Sequence, residues 1–316
     1  MTRALLAAAL LAAAGFLAWR WSRPVSAPPA GERVVPTPPH EGRVSAVLPG
    51  SPVVSGDVTG RLVLWSEAGP TTFVAHDGAV RRLLRAGDGF ASVGADGSVA
   101  FWGMDGAARR RLRLSEEPLN DAWIVGADVL ASTARGTVAR LADAGPVWKA
   151  RGAHARTAFT VALQGSTVWS GGADGRVATW DLQSGASATG FEPGLGFIVA
   201  LFPEGDGVLA VGQQGFASIG PAGIVGHARF GFAATCAARD GDRLAVAGEA
   251  GRVALYQPDG TAIGGFDTGD TVLGLAFDGP RLFTGGGADG RVRIWQVKDG
   301  APLGTLPRAA AEDVSP

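Results

Sequence analysis

The sequence predicts an all-β fold, a seven-bladed β-propeller of four-stranded antiparallel blades, preceded by one N-terminal apolar helix. Three observations predict it. A hairpin-like phrase, SGGADGRVATWDLQSG from Ser170 to Gly185, recurs as GGADGRVRIWQVKDG from Gly286 and as VGADGSVAFWGMDG from Val93, with weaker copies from Gly56, Thr133, Gly212 and Gly248. The turn glycines of these copies are Gly60, Gly97, Gly136, Gly175, Gly215, Gly251 and Gly290, spaced by 37, 39, 39, 40, 36 and 39 residues. Five residues after each stands Trp65, Trp102, Leu141, Trp180, Gly220, Tyr256 or Trp295, mostly aromatic in a chain with 8% aromatics. Asp-Gly between β-prone runs favours a tight hairpin, because Gly adopts positive φ without steric cost. A repeat near 40 residues with room for four short strands implies a propeller blade.

The chain divides in order into an apolar segment at 1–23, a Pro-rich spacer at 24–39, the propeller at 40–308 and a short tail at 309–316. Ala4 to Trp19 carries no charge. As a helix it is about 24 Å long, slightly short of a roughly 30 Å hydrocarbon layer. Trp19 and Trp21 extend it toward the interface, and Arg20 and Arg23 end it. The expectation is an uncleaved signal-anchor and a single pass, with the propeller extracytoplasmic. The alternative is a cleaved signal peptide and a secreted or periplasmic protein. The small-x-small run Val25-Ser26-Ala27 lies beyond both arginines and is followed by Pro28. The Ala, Gly and Arg bias is similar to that of high-GC bacterial coding sequences, so the membrane expected is a bacterial inner membrane. Residues 24–39 read as a semi-rigid spacer.

Within the repeats, the inner strands are expected at the apolar runs 43–48, 79–84, 121–125, 157–163, 196–202, 232–238 and 271–277, buried on both faces. More charged outer strands follow, as at 109–114. The seventh outer strand is expected at 302–306, with 33–35 as the alternative that would close the ring from the N-terminus.

At this point the repeats resemble the WD-repeat family. Trp180-Asp181 keeps the pair after which the family is named, and Gly226-His227 its Gly-His pair; His40, His76 and His154 are assigned the same phase. From His76 the offsets to Ser92, Asp96 and Trp102 are 16, 20 and 26, and from His154 to Ser170, Asp174 and Trp180 they are the same. The resemblance implies that each quartet is a buried hydrogen-bonded network. Asp57 is out of phase with it and is expected to matter much less than Asp174. Repeats three and five are degenerate.

Net charge is −1, which excludes an electrostatic case for nucleic acid. A lone cysteine, Cys236, excludes an internal disulfide and any multi-cysteine metal site, and its apolar setting reads as structural. The histidines fall one per blade, so no metal or other cofactor is expected, and the Ser-His-Asp sets read as structural rather than as hydrolytic triads. The resemblance implies a non-catalytic, monomeric interaction scaffold that docks a protein or peptide on its loop face. The alternative is a propeller enzyme, lactonase-like or quinoprotein-like, using the central channel; Asp121 is almost the only carboxylate of the inner strands. The unlike residues Arg43, Asp77, Asp121, Arg156, Phe230 and Asp270, on loops entering the inner strands, are the candidate partner-binding positions.

Overall fold

The computed structural model describes residues 39–114, 117–221 and 223–306. Seven four-stranded antiparallel sheets, each built from four consecutive strands, form blades 1 to 7 at residues 44–74, 80–113, 119–150, 158–191, 198–229, 234–267 and 274–306. Their inner strands are Val44–Leu48, Val80–Ala86, Leu119–Val125, Ala158–Gln164, Ile198–Glu204, Ala234–Asp240 and Gly274–Asp278. Each inner strand lies against the next around the ring, including blade 7 against blade 1. The seventh outer strand is Pro302–Leu306, paired with Val292–Gln296. The anchor, most of the spacer, the tail and the alternative closing strand at 33–35 lie outside the described residues. Among the described residues no helix is long and apolar enough to cross a membrane.

Burial differs from the expectation that the inner strands are covered on both faces. The fully covered strands are the second ones, such as Gly89–Gly94 and Gly207–Gly212, while inner strands mix buried and half-buried positions because one edge of each lines the central channel. Outer strands face solvent, as Ser187–Phe191 does. The core therefore sits between blades. Ala200, Leu209, Val211 and Phe216 of blade 5 pack on Ala234, Ala237, Leu244 and Val246 of blade 6. Val44 and Val47 pack on Phe283 and Val292 where the ring closes.

The hairpin glycines also join the blades. Gly60 has φ +94°, and a Cβ there would lie 2.0 Å from the His76 carbonyl oxygen, so only glycine fits. Gly136 stands in the same relation to His154, and Gly290 to His40. Each hairpin thus cradles the loop leading into the following blade. Blade 5 departs from the repeat. Its hairpin is only Gln213-Gln214, with Gly215 inside the third strand, so Ile219 rather than Gly220 stands opposite Val208, where blades 1, 2, 4 and 7 place Trp. Trp65, Trp102, Leu141, Trp180, Tyr256 and Trp295 occupy equivalent third-strand sites facing Val53, Phe90, Val129, Val168, Leu244 and Leu282.

Candidate interaction face and central channel

The two in-phase quartets form continuous hydrogen-bond chains. In blade 4, Trp180 Nε1 donates to Ser170 Oγ at 3.0 Å, and Ser170 Oγ lies 2.9 Å from His154 Nε2. His154 Nδ1 lies 2.9 Å from Asp174 Oδ1. The Asp174 carboxylate only accepts, so the hydrogen between it and the ring is carried by His154 Nδ1. Blade 2 repeats the chain through Trp102, Ser92, His76 and Asp96, with distances of 2.9, 2.7 and 3.0 Å. Arg111 adds a bond to Ser98, whose hydroxyl bonds Asp96. Burial raises the carboxyl of Asp174, but the hydrogen bonds from His154 and the Arg176 amide outweigh it and hold the pKa below the ordinary value.

Blade 1 carries a third quartet, which corrects the reading of Asp57 as out of phase. Trp65 Nε1 donates to Ser55 Oγ at 2.7 Å, Ser55 Oγ lies 2.6 Å from His40 Nε2, and His40 Nδ1 lies 3.0 Å from Asp57 Oδ2. Asp57 sits 17 residues after His40, at the end of the second strand instead of in the turn. The same atoms meet because the carboxylate reaches the ring from a different backbone position. Its second oxygen takes the Thr59 amide and hydroxyl and the Arg61 amide. Blade 7 keeps the end of the chain, with Trp295 Nε1 donating to Thr284 Oγ1 at 2.9 Å.

His227 is a second correction. It lies in the outer strand Gly223–Arg229 and bonds Ser218 Oγ at 2.8 Å, away from the loop that holds the other three histidines. That loop position in blade 6 belongs to Phe230, whose amide bonds the Gln214 carbonyl as those of His76 and His154 bond Gly60 and Gly136.

The candidate binding residues accordingly separate. Arg43, Asp77 and Arg156 are exposed on the loop face, and the Arg156 guanidinium lies 5.9 Å from the centre of the Phe197 ring. Phe230 is half-buried among Phe216, Phe232 and Tyr256, so it packs the seam of blades 5 and 6 rather than presenting itself. Asp270 is half-buried, its Oδ1 accepting from the Thr271 amide. Asp121 is not in a loop at all. It is 6% exposed in the inner strand of blade 3 and accepts from Thr160 Oγ1 and the Val161 and Ala122 amides, with Arg82 at 3.5 Å. Burial is the largest influence on its pKa and, despite Arg82, pushes it up.

The residues that line the channel were not singled out by sequence reasoning. Six inner strands contain a β-bulge, and in each the unpaired residue points into the channel: Ser45, Arg81, Asn120, Phe159, Val199 and Thr235. A bulge redirects one side chain off the strand's alternation, and here it does so once in each of blades 1 to 6. With Leu273 of blade 7 these residues surround a mouth of about 350 Å³ on the loop face, walled also by Phe197 and Gln213. The only available signal was a polar or bulky residue directly after the first apolar residue of each inner strand. Cys236 also faces the channel; desolvation pushes its thiol up to about 12.

Comparison with known proteins bears on this geometry. The sequence model for the family described as WD domain, G-beta repeat matches residues 260–296. That stretch runs from the outer strand of blade 6 through the third strand of blade 7, ending at the Trp295 strand. The chain is a seven-bladed propeller whose segment 260–296 matches a WD-type repeat. Among solved structures, the crystal structure of the computationally designed Ika8 protein is similar, with a TM-score of 0.66 and 19% identity over 85% of this chain and 88% of that one. That likeness concerns the fold alone. A search of curated proteins found no match.

Proposed function

We propose that this protein is a non-catalytic interaction scaffold that presents its loop face and channel mouth to a protein or peptide partner. The observation that carries the reading is the contrast between the two kinds of position. The groups that resemble catalytic triads are turned inward: His40, His76 and His154 are 1%, 3% and 2% exposed and their ring nitrogens are occupied by hydroxyl and carboxylate partners. The exposed loop residues Arg43, Asp77 and Arg156 and the bulge residues of the mouth differ from blade to blade and converge on one face. A rigid scaffold with unlike side chains on one face suits recognition. Residues 1–23 serve in this proposal as a membrane anchor and 24–39 as its spacer, with the propeller on the extracytoplasmic side.

Affinity capture with the full-length protein tests the reading. Arg43→Ala with Arg156→Ala is expected to abolish capture of the specific partner at an unchanged melting temperature. Retention of that partner by the double variant, with loss on altering outer strands, would move the binding surface to the blade edges. Alkaline carbonate extraction tests the anchor. The protein is expected in the membrane pellet, and release with a mature N-terminus near Pro28 would establish a cleaved signal peptide.

A further inference from the structure

The channel has a second chamber, of about 380 Å³, on the side opposite the loop face. Ser45, Arg81, Arg82, Cys236 and Leu273 line both spaces, so they mark the waist between them. The far chamber is walled by the last residues of the inner strands, including Leu48, Phe202, Ala238 and Phe277. Its charge is one-sided: Arg81, Arg82, Arg85 and Arg239 against Asp278.

Three of those arginines come from one strand, VRRLLRA at Val80–Ala86. The bulge between Val80 and Arg82 breaks the alternation, which brings the consecutive Arg81 and Arg82 into the same channel. Several of the charges are already matched. Arg82 faces Asp121 at 3.5 Å, Arg239 pairs with Glu204 at 2.9 Å, and Asp278 is held by Arg281. Among the described residues Arg85 donates only to the Pro49 carbonyl, and Arg81 has no hydrogen-bond or ion-pair partner. Two guanidinium charges therefore face the chamber without a carboxylate partner among the described residues. Low-dielectric walls concentrate the field of such charges, and the planar guanidinium fork matches the oxygen geometry of phosphate and carboxylate.

We propose that the far chamber of the channel is a binding site for a small doubly charged oxyanion, a phosphate ester or a dicarboxylate, with Arg81 and Arg85 as its principal contacts. Two uncompensated cations match a dianion. This site lies on the side of the waist away from the loop face, shares Arg81 with the channel mouth, and does not depend on the scaffold reading.

The test is calorimetric titration of the full-length protein in detergent with inorganic phosphate and, separately, with succinate, at constant ionic strength. Saturable binding of one ion per chain is expected for at least one probe. Phosphate alone would mark a phosphate-ester site and succinate alone a dicarboxylate site. Arg81→Gln and Arg85→Gln are each expected to weaken it at least tenfold, and Arg81→Lys to retain part of the affinity. The loop-face pair Arg43→Ala/Arg156→Ala and Arg113→Gln, at an exposed position of the outer strand of blade 2, are expected to bind as the parent does. Because no described residue pairs with Arg81, Arg81→Gln is expected to melt at the parent temperature, which separates lost binding from lost folding. Absence of saturation by both probes, parent affinity in Arg81→Gln, or equal loss in the loop-face pair overturns the assignment.

Discussion

Replacing Asp57 by Ala is expected to destabilise the propeller by about 3–5 kcal/mol, since a buried group left unsatisfied costs roughly 1–3 kcal/mol and several are left here. Asp57 is fully buried and accepts from four donors: His40 Nδ1 at 3.0 Å, the Thr59 amide at 2.8 Å, the Thr59 hydroxyl at 2.6 Å and the Arg61 amide at 3.1 Å. Partial relaxation of the hairpin recovers some of the loss, because Thr59 is exposed and reaches water. His40 does not, being 1% exposed. In a domain of this size about 1 kcal/mol moves the melting temperature by roughly 2–4 °C, so a drop of about 10 °C is expected by circular dichroism. Asp77→Ala, at an exposed carboxylate, is the control and should stay within about 0.5 kcal/mol of the parent. The pH dependence provides an independent check. Burial raises the Asp57 pKa, but the hydrogen bonds from His40, Thr59 and the Arg61 amide outweigh it and leave it well below the ordinary value of 3.8. The unfolded chain therefore takes up this proton first as pH falls. The stabilisation is complete above the ordinary value and is lost progressively below it. The gap between parent and Asp57→Ala should accordingly close in acid. Equal melting temperatures for Asp57→Ala and Asp77→Ala at neutral pH would refute the existence of a third quartet.

Three further outcomes follow from the same geometry. Thr284→Val leaves the Trp295 indole N–H without its 2.9 Å acceptor and should cost about 1–3 kcal/mol in urea denaturation, while Thr284→Ser should restore most of it. Phe230→Ala should cost about 2–4 kcal/mol because the ring packs on Phe216, Phe232 and Tyr256; a neutral effect would return it to the exposed loop class. Native Cys236, with its thiol held up to about 12, should resist iodoacetamide at pH 8 and react fully in denaturant, and stoichiometric native labelling within minutes would contradict that environment.

The blade count, the strand order and the two in-phase networks were legible because glycine and aromatic positions recur at fixed offsets. What escaped was anything that depends on reach across space. Asp57 serves the same imidazole nitrogen as Asp174 does in its own blade, yet it stands on the second strand instead of in the turn, so no offset links the two. Blade 5 lost one residue from its hairpin, and counting forward from Gly215 therefore ended on Gly220, one step past Ile219. Phe230 and Asp121 were read as loop side chains from position alone; the first belongs to an aromatic seam and the second to a buried strand. The channel was invisible for a different reason. Its lining depends on bulges, which are irregularities of pairing, and a polar or bulky residue after the first apolar one is all that a single strand shows of where its partner will skip.

Those bulges divide labour among the seams of the ring. Ser45 donates to the Val80 carbonyl at 2.6 Å, Asn120 to that of Ala158 at 2.9 Å and Thr235 to that of Val272 at 2.7 Å, so each bolts its blade to the next from inside the bore. Arg81, Phe159 and Val199 hold the same place without such a bolt. Phe159 instead meets the Phe197 ring and Val199 packs against the seam of blades 5 and 6, so among the described residues Arg81 is the bulge side chain that fastens nothing. A lineage carrying this ring could retune the bore at that one position while the other bulges keep the circle shut.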